Sequence, residues 1–208
     1  MNRLPDPWRK IVDWAVTVAV AVGFVLAFEA EVAKPYRIPT DSMERTLHCA
    51  RPGPGCDASM SDRVLVNRLA YDFGSPQRGQ IVVFKAPPKA NRCEPGDAGT
   101  TFVKRLIGLP GETVREDDSG FIWTRRPGAT AWTKLHERYV SSRSRLADSK
   151  SFGQTWRVPQ GGYFFLGDNR PDSCDSRVWG SVPRSALVGP VIFTYWPPLR
   201  ISYHQGGW

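Results

Sequence analysis

Between Ile11 and Phe28 the chain carries an almost wholly apolar run, broken only by Asp13 near its start and by Thr17. As a helix this run is about 27 Å long, enough to cross the hydrocarbon core of a bilayer. Arg3, Arg9 and Lys10 precede it, which predicts that residues 1–10 form a tail on the cytoplasmic side. Trp8 and Trp14 suit the membrane interface. The competing reading is a cleaved secretory signal, with Val25 and Ala27 as a small-x-small cleavage site. The length of the run, and Glu29 and Glu31 directly after it, favour a retained anchor. The tail from Ile201 to Trp208 is too short and too polar for a second span. The expected organisation is therefore a transmembrane helix over 11–28 and an extracytoplasmic domain over 29–208.

The net charge is +8. A basic balance suits nucleic acid or an anionic membrane surface, or is simply a solvated surface. No basic run interleaved with stacking aromatics and no helix-turn-helix or zinc-finger spacing is present, so no nucleic-acid partner is expected. Membrane lipid is.

Gly (19) and Pro (18) are plentiful, which favours turns and short strands over long helices. Glu29 to Arg37 reads as an extended lead. Asp62 to Tyr71 alternates as a strand, and Arg78 to Pro87 is a β-branched run suited to a buried strand. Pro88 to Thr100 reads as a loop. Thr101 to Val114 is a further strand with a turn at Pro110-Gly111. A more polar stretch, about 115–160, has short β-like pieces at Phe121–Thr124 and Trp132–Leu135 and is expected to be an inserted β-rich cap. Gly161 to Arg170 gives a last core strand running into a charged loop, and Val188 to Trp196 closes the fold. The predicted class is mainly β, with an antiparallel sheet as its core.

The four cysteines, Cys49, Cys56, Cys93 and Cys174, match no zinc template. Outside the membrane disulfides are permitted. Cys49 and Cys56 flank a Pro/Gly-rich loop that their bridge would close. For Cys93 and Cys174, a bridge and two free thiols both stand open. No metal and no cofactor are expected.

None of the three histidines, His48, His136 and His204, lies in a catalytic-looking loop, and the chain lacks G-x-S-x-G and H-E-x-x-H. That leaves serine with another base. A lysine can take a proton only when neutral, and burial in an apolar setting lowers its pKa from about 10.4 by several units. Lys104 lies in Phe102-Val103-Lys104-Arg105-Leu106-Ile107, where strand alternation puts Phe102, Lys104 and Leu106 on one face. Periodicity alone equally allows a strand lysine whose amine reaches solvent.

Five ordered blocks add to this: IPTDSMERTL from Ile38, SDRVLVNRLAY from Ser61, RGQIVVFK from Arg78, FVKRLIGLPGE from Phe102, and GDNRPDSCDSRVWG from Gly167. Together they resemble the bacterial type I signal peptidases from Tyr36 to about Tyr195. The resemblance implies a membrane-bound serine endopeptidase that cuts signal peptides from secretory preproteins. It makes Ser42 the nucleophile and Lys104 the general base. Ser173 matches a serine that orients the lysine. Asp175 and Arg177 match a supporting ion pair, with Arg105 placed to join it. The backbone N–H of Ser42 and the hydroxyl of Thr40 are the implied oxyanion donors; Thr40 stands where the family commonly has serine. Asp41 and Arg45 depart from the family pattern. Ile38, Phe102 and Val103 are implied to shape shallow pockets for small side chains, and equally suit a plain core. A narrower peptidase that matures a pilus or conjugation protein would share Ser42 and Lys104. An inactive membrane scaffold would keep the fold without the chemistry, which intact Ser42, Lys104 and Ser173 argue against.

Overall fold

The structure is a computed structural model; it describes residues 6–93 and 95–204, without the side chains at 6, 7, 27–31 and 150. Part of the expected tail (1–5), the side chains of Ala27, Phe28, Glu29 and Glu31, and the last four residues therefore lie outside the described residues. Helix α1 runs Asp6–Glu31, about 39 Å at 1.5 Å per residue. Every side chain from Trp8 to Leu26 is exposed. Among the described residues no helix is long and apolar enough to cross a membrane: the described stretch includes Arg9, Lys10 and Asp13 and stops at Leu26.

The lead after α1 is strand β1 (Ala33–Arg37), paired antiparallel with β2 (Arg63–Asn67). The strand expected to reach Tyr71 stops at Asn67. The Asn67 Oδ1 accepts the Leu69 N–H at 3.0 Å and turns the chain into a short helix, α2 (Ala70–Phe73). β3 (Ile81–Lys85) follows. Its Val82 and Phe84 face one core cluster while Ile81 and Val83 face another, as expected of an apolar run buried on both sides. The 88–100 loop holds a 3-10 turn at Pro88–Arg92 and leads to β4 (Thr101–Gly108).

β5 (Thr113–Glu116), β6 (Ile122–Arg125), β7 (Thr133–Lys134) and β8 (Thr155–Arg157) form a separate four-stranded sheet in the order β7-β6-β5-β8. This segment is not wholly β. Helix α3 (Ser142–Ala147) lies within it, started by Ser141, whose hydroxyl accepts the Ser144 N–H at 3.1 Å. The chain returns to the main sheet with β9 (Gly162–Leu166), α4 (Ser176–Trp179), β10 (Val182–Pro183), β11 (Leu187–Trp196) and β12 (Ser202–Tyr203).

The main sheet has the order β1-β2-β11-β3-β4-β9-β10, with β12 on β11, and every pairing is antiparallel. β11 pairs with β3 through Leu187–Pro190 and with β2 from Val191 onward, with bulges between, so the sheet bends along this strand. At the bend a Cβ on Gly189 would overlap the Asn67 carbonyl, so the crossing needs glycine. The bent sheet brings the turn after β1 against β4.

Candidate active site

Lys104 sits mid-way along β4 and points, with Phe102 and Leu106, toward the cluster that holds Phe84, Phe165 and Trp179. Only 5% of it is exposed. Burial lowers its pKa to about 8, opposed mainly by the negative charges of Asp175 and Asp41. Its amine Nζ donates a hydrogen bond to Ser42 Oγ. The lysine is thus desolvated, and the serine is its hydrogen-bond partner.

Ser42 occupies a 3-10 turn, Asp41–Met43, that directly follows β1. Ile38, Met43 and Leu47 are buried in one cluster and pin both sides of this turn. Asn169 clamps its backbone. The Asn169 N–H donates to the Ser42 carbonyl and Asn169 Nδ2 to the Asp41 carbonyl, both at 3.2 Å. Thr40 Oγ1 lies 3.5 Å from Ser42 Oγ, on an extended, exposed residue. Its hydroxyl stands at the edge of hydrogen-bond range of the nucleophile.

The loop after β9 closes the site from the other side. Asp175 is fully buried, accepts the Gly167 N–H at 3.1 Å, and caps α4 by accepting the Arg177 N–H at 3.2 Å. Arg177 grips it with two hydrogen bonds, Nε to Oδ1 and Nη2 to Oδ2, each 2.8 Å. Burial pushes the Asp175 carboxyl up to about 6 against these donors. Ser173 is in the site but not bonded to Lys104. Its buried hydroxyl lies beside the Asp175 carboxyl and makes no hydrogen bond of ordinary geometry.

Arg105 does not join the Asp175–Arg177 pair. As the neighbour of Lys104 on a strand it points to the opposite face. There it binds Asp168 through Nε at 2.8 Å and Nη2 at 2.6 Å, donates to the Gly79 carbonyl at 2.8 Å, and stacks 3.8 Å from the Tyr139 ring centre. Asp168 also accepts from the Thr46 hydroxyl at 2.5 Å, which ties this ion pair to the segment just after Ser42.

A groove of about 510 Å³ leads to the serine. Ile38, Phe102 and Val103 line it together with Tyr36, Thr40 and Lys104, so its walls are largely apolar and end at the Ser42–Lys104 pair. Two disulfides frame the surroundings. Cys49–Cys56 closes the Pro/Gly-rich loop, and Cys93–Cys174 fastens the residue after Ser173 to the segment ahead of β4. The histidines are engaged elsewhere or exposed: His48 Nδ1 lies 2.5 Å from Glu44 Oε2, His204 bonds Thr194 at 2.7 Å, and His136 is exposed.

Sequence reasoning missed two residues that shape the site, Gly167 and Asn169. Both lie in the GDNR block, and their residue types were the available signal. A Cβ on Gly167 would stand 2.5 Å from the Ser42 carbonyl and would overlap Ser173 Oγ.

The profile of the family described as "Signal peptidase, peptidase S26" matches residues 11–196. A probable signal peptidase I-1 of Synechocystis sp. is 35% identical over 197 residues, covering 95% of this chain and 88% of the relative. A signal peptidase I of Mycobacterium tuberculosis is 32% identical over 240 residues, covering 94% and 76%. A solved signal peptidase I from Enterococcus faecalis is 33% identical, with a TM-score of 0.42, and covers 57% of this chain and 97% of that one.

Proposed function

Because the chain belongs to the signal peptidase family, peptidase S26, we propose that Ser42 and Lys104 are the catalytic pair with which it acts as a serine endopeptidase removing signal peptides. One observation carries this reading: a lysine 5% exposed, on a strand of the main sheet, has the Ser42 hydroxyl as its hydrogen-bond partner. A serine hydroxyl needs a base, and an amine pushed down to about 8 is neutral often enough near neutral pH to serve.

The substrate lies extended along the groove, small side chains against Ile38, Phe102 and Val103. Neutral Lys104 takes the proton from Ser42 Oγ as the oxygen attacks the scissile carbonyl. The Ser42 N–H and the Thr40 hydroxyl stabilise the oxyanion. Lys104 passes its proton to the departing amine, which leaves an ester on Ser42. Lys104 then deprotonates a water that attacks the ester, and Ser42 departs with the proton. The charge of Asp175 acts on the amine, Arg177 holds Asp175, and Ser173 lies beside that carboxylate.

The family is membrane-associated, and we assign α1 as the anchor of this chain. The apolar run Ile11–Phe28 continues past the last described side chain of the helix, and the side chains from Trp8 to Leu26 are exposed. Water is a poor solvent for such a surface and lipid a good one. Arg3, Arg9 and Lys10 orient the N-terminus to the cytoplasm and the catalytic domain to the other side. Residues 113–157 then form a cap inserted between two strands of the catalytic sheet.

The direct test is cleavage of one preprotein by the full chain in detergent, compared with Ser42→Ala and Lys104→Ala. Both variants are expected to lose cleavage while keeping the wild-type circular dichroism. Cleavage by either at the wild-type rate would overturn the assignment.

A further inference from the structure

Glu116, Glu137 and Asp148 are buried carboxylates that the cleavage steps leave without a task. Glu116 ends β5, Glu137 follows β7, and Asp148 terminates α3. All three belong to the segment inserted between β4 and β9. Their partners belong to the catalytic loop. Arg177 uses the edge Nε/Nη2 on Asp175, while its Nη1 pairs with Asp148, donates to Ser151 Oγ at 3.3 Å, and lies 3.9 Å from Glu116. Arg170, 1% exposed, pairs with Glu137 and donates from Nε to the Gly167 carbonyl at 3.1 Å. Arg177 Nη2 also donates to the Arg170 carbonyl at 2.8 Å, so the two guanidinium groups form one cluster.

Such a cluster is an expensive way to join two sheets. Desolvating ions offsets much of their attraction, and apolar residues of similar volume often serve stability as well. What the ions do supply is a fixed orientation. Arg177 has a carboxylate on each side, one from the inserted segment and one beside Lys104. Moving or neutralising the first changes both the aim of the guanidinium and its net charge as felt at the second.

We propose that Asp148, with Glu116 behind it, is a positioning residue of the cleavage reaction: from the inserted segment it seats Arg177, and through Arg177 it holds Asp175 against Lys104. This rests on the reading of Ser42 and Lys104 as the catalytic pair. The charges facing Arg177 are Asp175 from its own turn, Asp148 from the end of α3, Glu116 from β5 and, at longer range, Glu137; Arg170 is the neighbouring cation. Those acting on Lys104 are Asp175, Asp41 and Asp168, which favour its protonated form, and Arg177, which disfavours it. Removing the Asp148 charge leaves more of the Arg177 charge uncompensated, so Lys104 loses its proton at lower pH.

The test is the pH dependence of kcat and KM for the full chain on one preprotein. Wild type, Asp148→Asn, Asp148→Glu and Lys134→Ala are compared, the last on an exposed residue of β7. Asp148→Asn is expected to move the midpoint of the kcat rise down by about half a unit or more. It should also lower the alkaline plateau several-fold with KM within twofold. Asp148→Glu should restore the midpoint, and Lys134→Ala should change neither. Should Asp148→Asn fail to fold, Glu116→Gln is read the same way, with a smaller shift in the same direction. An unmoved midpoint, with the rate merely scaled by the folded fraction, overturns the proposal while leaving the catalytic pair intact. A wild-type profile without an alkaline rise removes the pair instead.

Discussion

Arg105 binds Asp168 through two hydrogen bonds, at 2.8 and 2.6 Å, on the face of β4 opposite Lys104. The Asp168 side chain is wholly buried and that of Arg105 is 10% exposed. Breaking such a pair from one side strands the other charge. Arg105→Ala is expected to cost about 3–5 kcal/mol, read from denaturant unfolding. Arg105→Lys should recover little of it, because a single ammonium cannot reproduce the two-pronged grip. Full recovery by lysine would mean that charge alone matters here.

Gly167 separates the Ser42 backbone from Ser173, with room for no side chain. Gly167→Ala is expected to push the loop that carries Ser173 and Asp175 away from Lys104. Circular dichroism should stay unchanged while kcat falls by at least about a hundredfold, the scale of a displaced catalytic group. Wild-type kcat in this variant would show that the loop needs no such close approach.

Thr40 stands at the N-cap of the turn that carries Ser42. In the proposed role of second oxyanion donor its hydroxyl would be worth about 10²–10³ in kcat. Thr40→Val keeps the shape, removes the donor and should show that loss. Thr40→Ser should keep most of the rate, with a freer χ1. Equal rates for the valine and serine variants would assign the donor elsewhere.

Much of this was legible in strand alternation. The apolar run of β3 announced burial on both faces, and the 102–106 alternation placed Lys104 with Phe102 and Leu106. The Pro110-Gly111 turn lies where expected, with Gly111 at a φ of 80°, but the strand expected to run to Val114 stops at Gly108, and Thr113 and Val114 belong to β5 of the other sheet. Features set by distant partners were not legible. Cys93 and Cys174 lie 81 residues apart, with no local signal for pairing. Arg105 was expected beside Arg177, yet adjacent strand residues face opposite ways, and that rule already forbade it. α3 went unseen because its apolar periodicity is weak and its start depends on one serine cap. The end of β2 hinged on a single Asn67 hydrogen bond.

The central claim is that Lys104 acts as a neutral base, and the pH dependence of kcat tests it most directly. Burial lowers the amine to about 8, and the active form is the deprotonated one. The rate should therefore be low at pH 6, rise through a midpoint near 8 and level off at alkaline pH. A profile that peaks below neutrality, or stays flat between pH 6 and 9, would contradict the account.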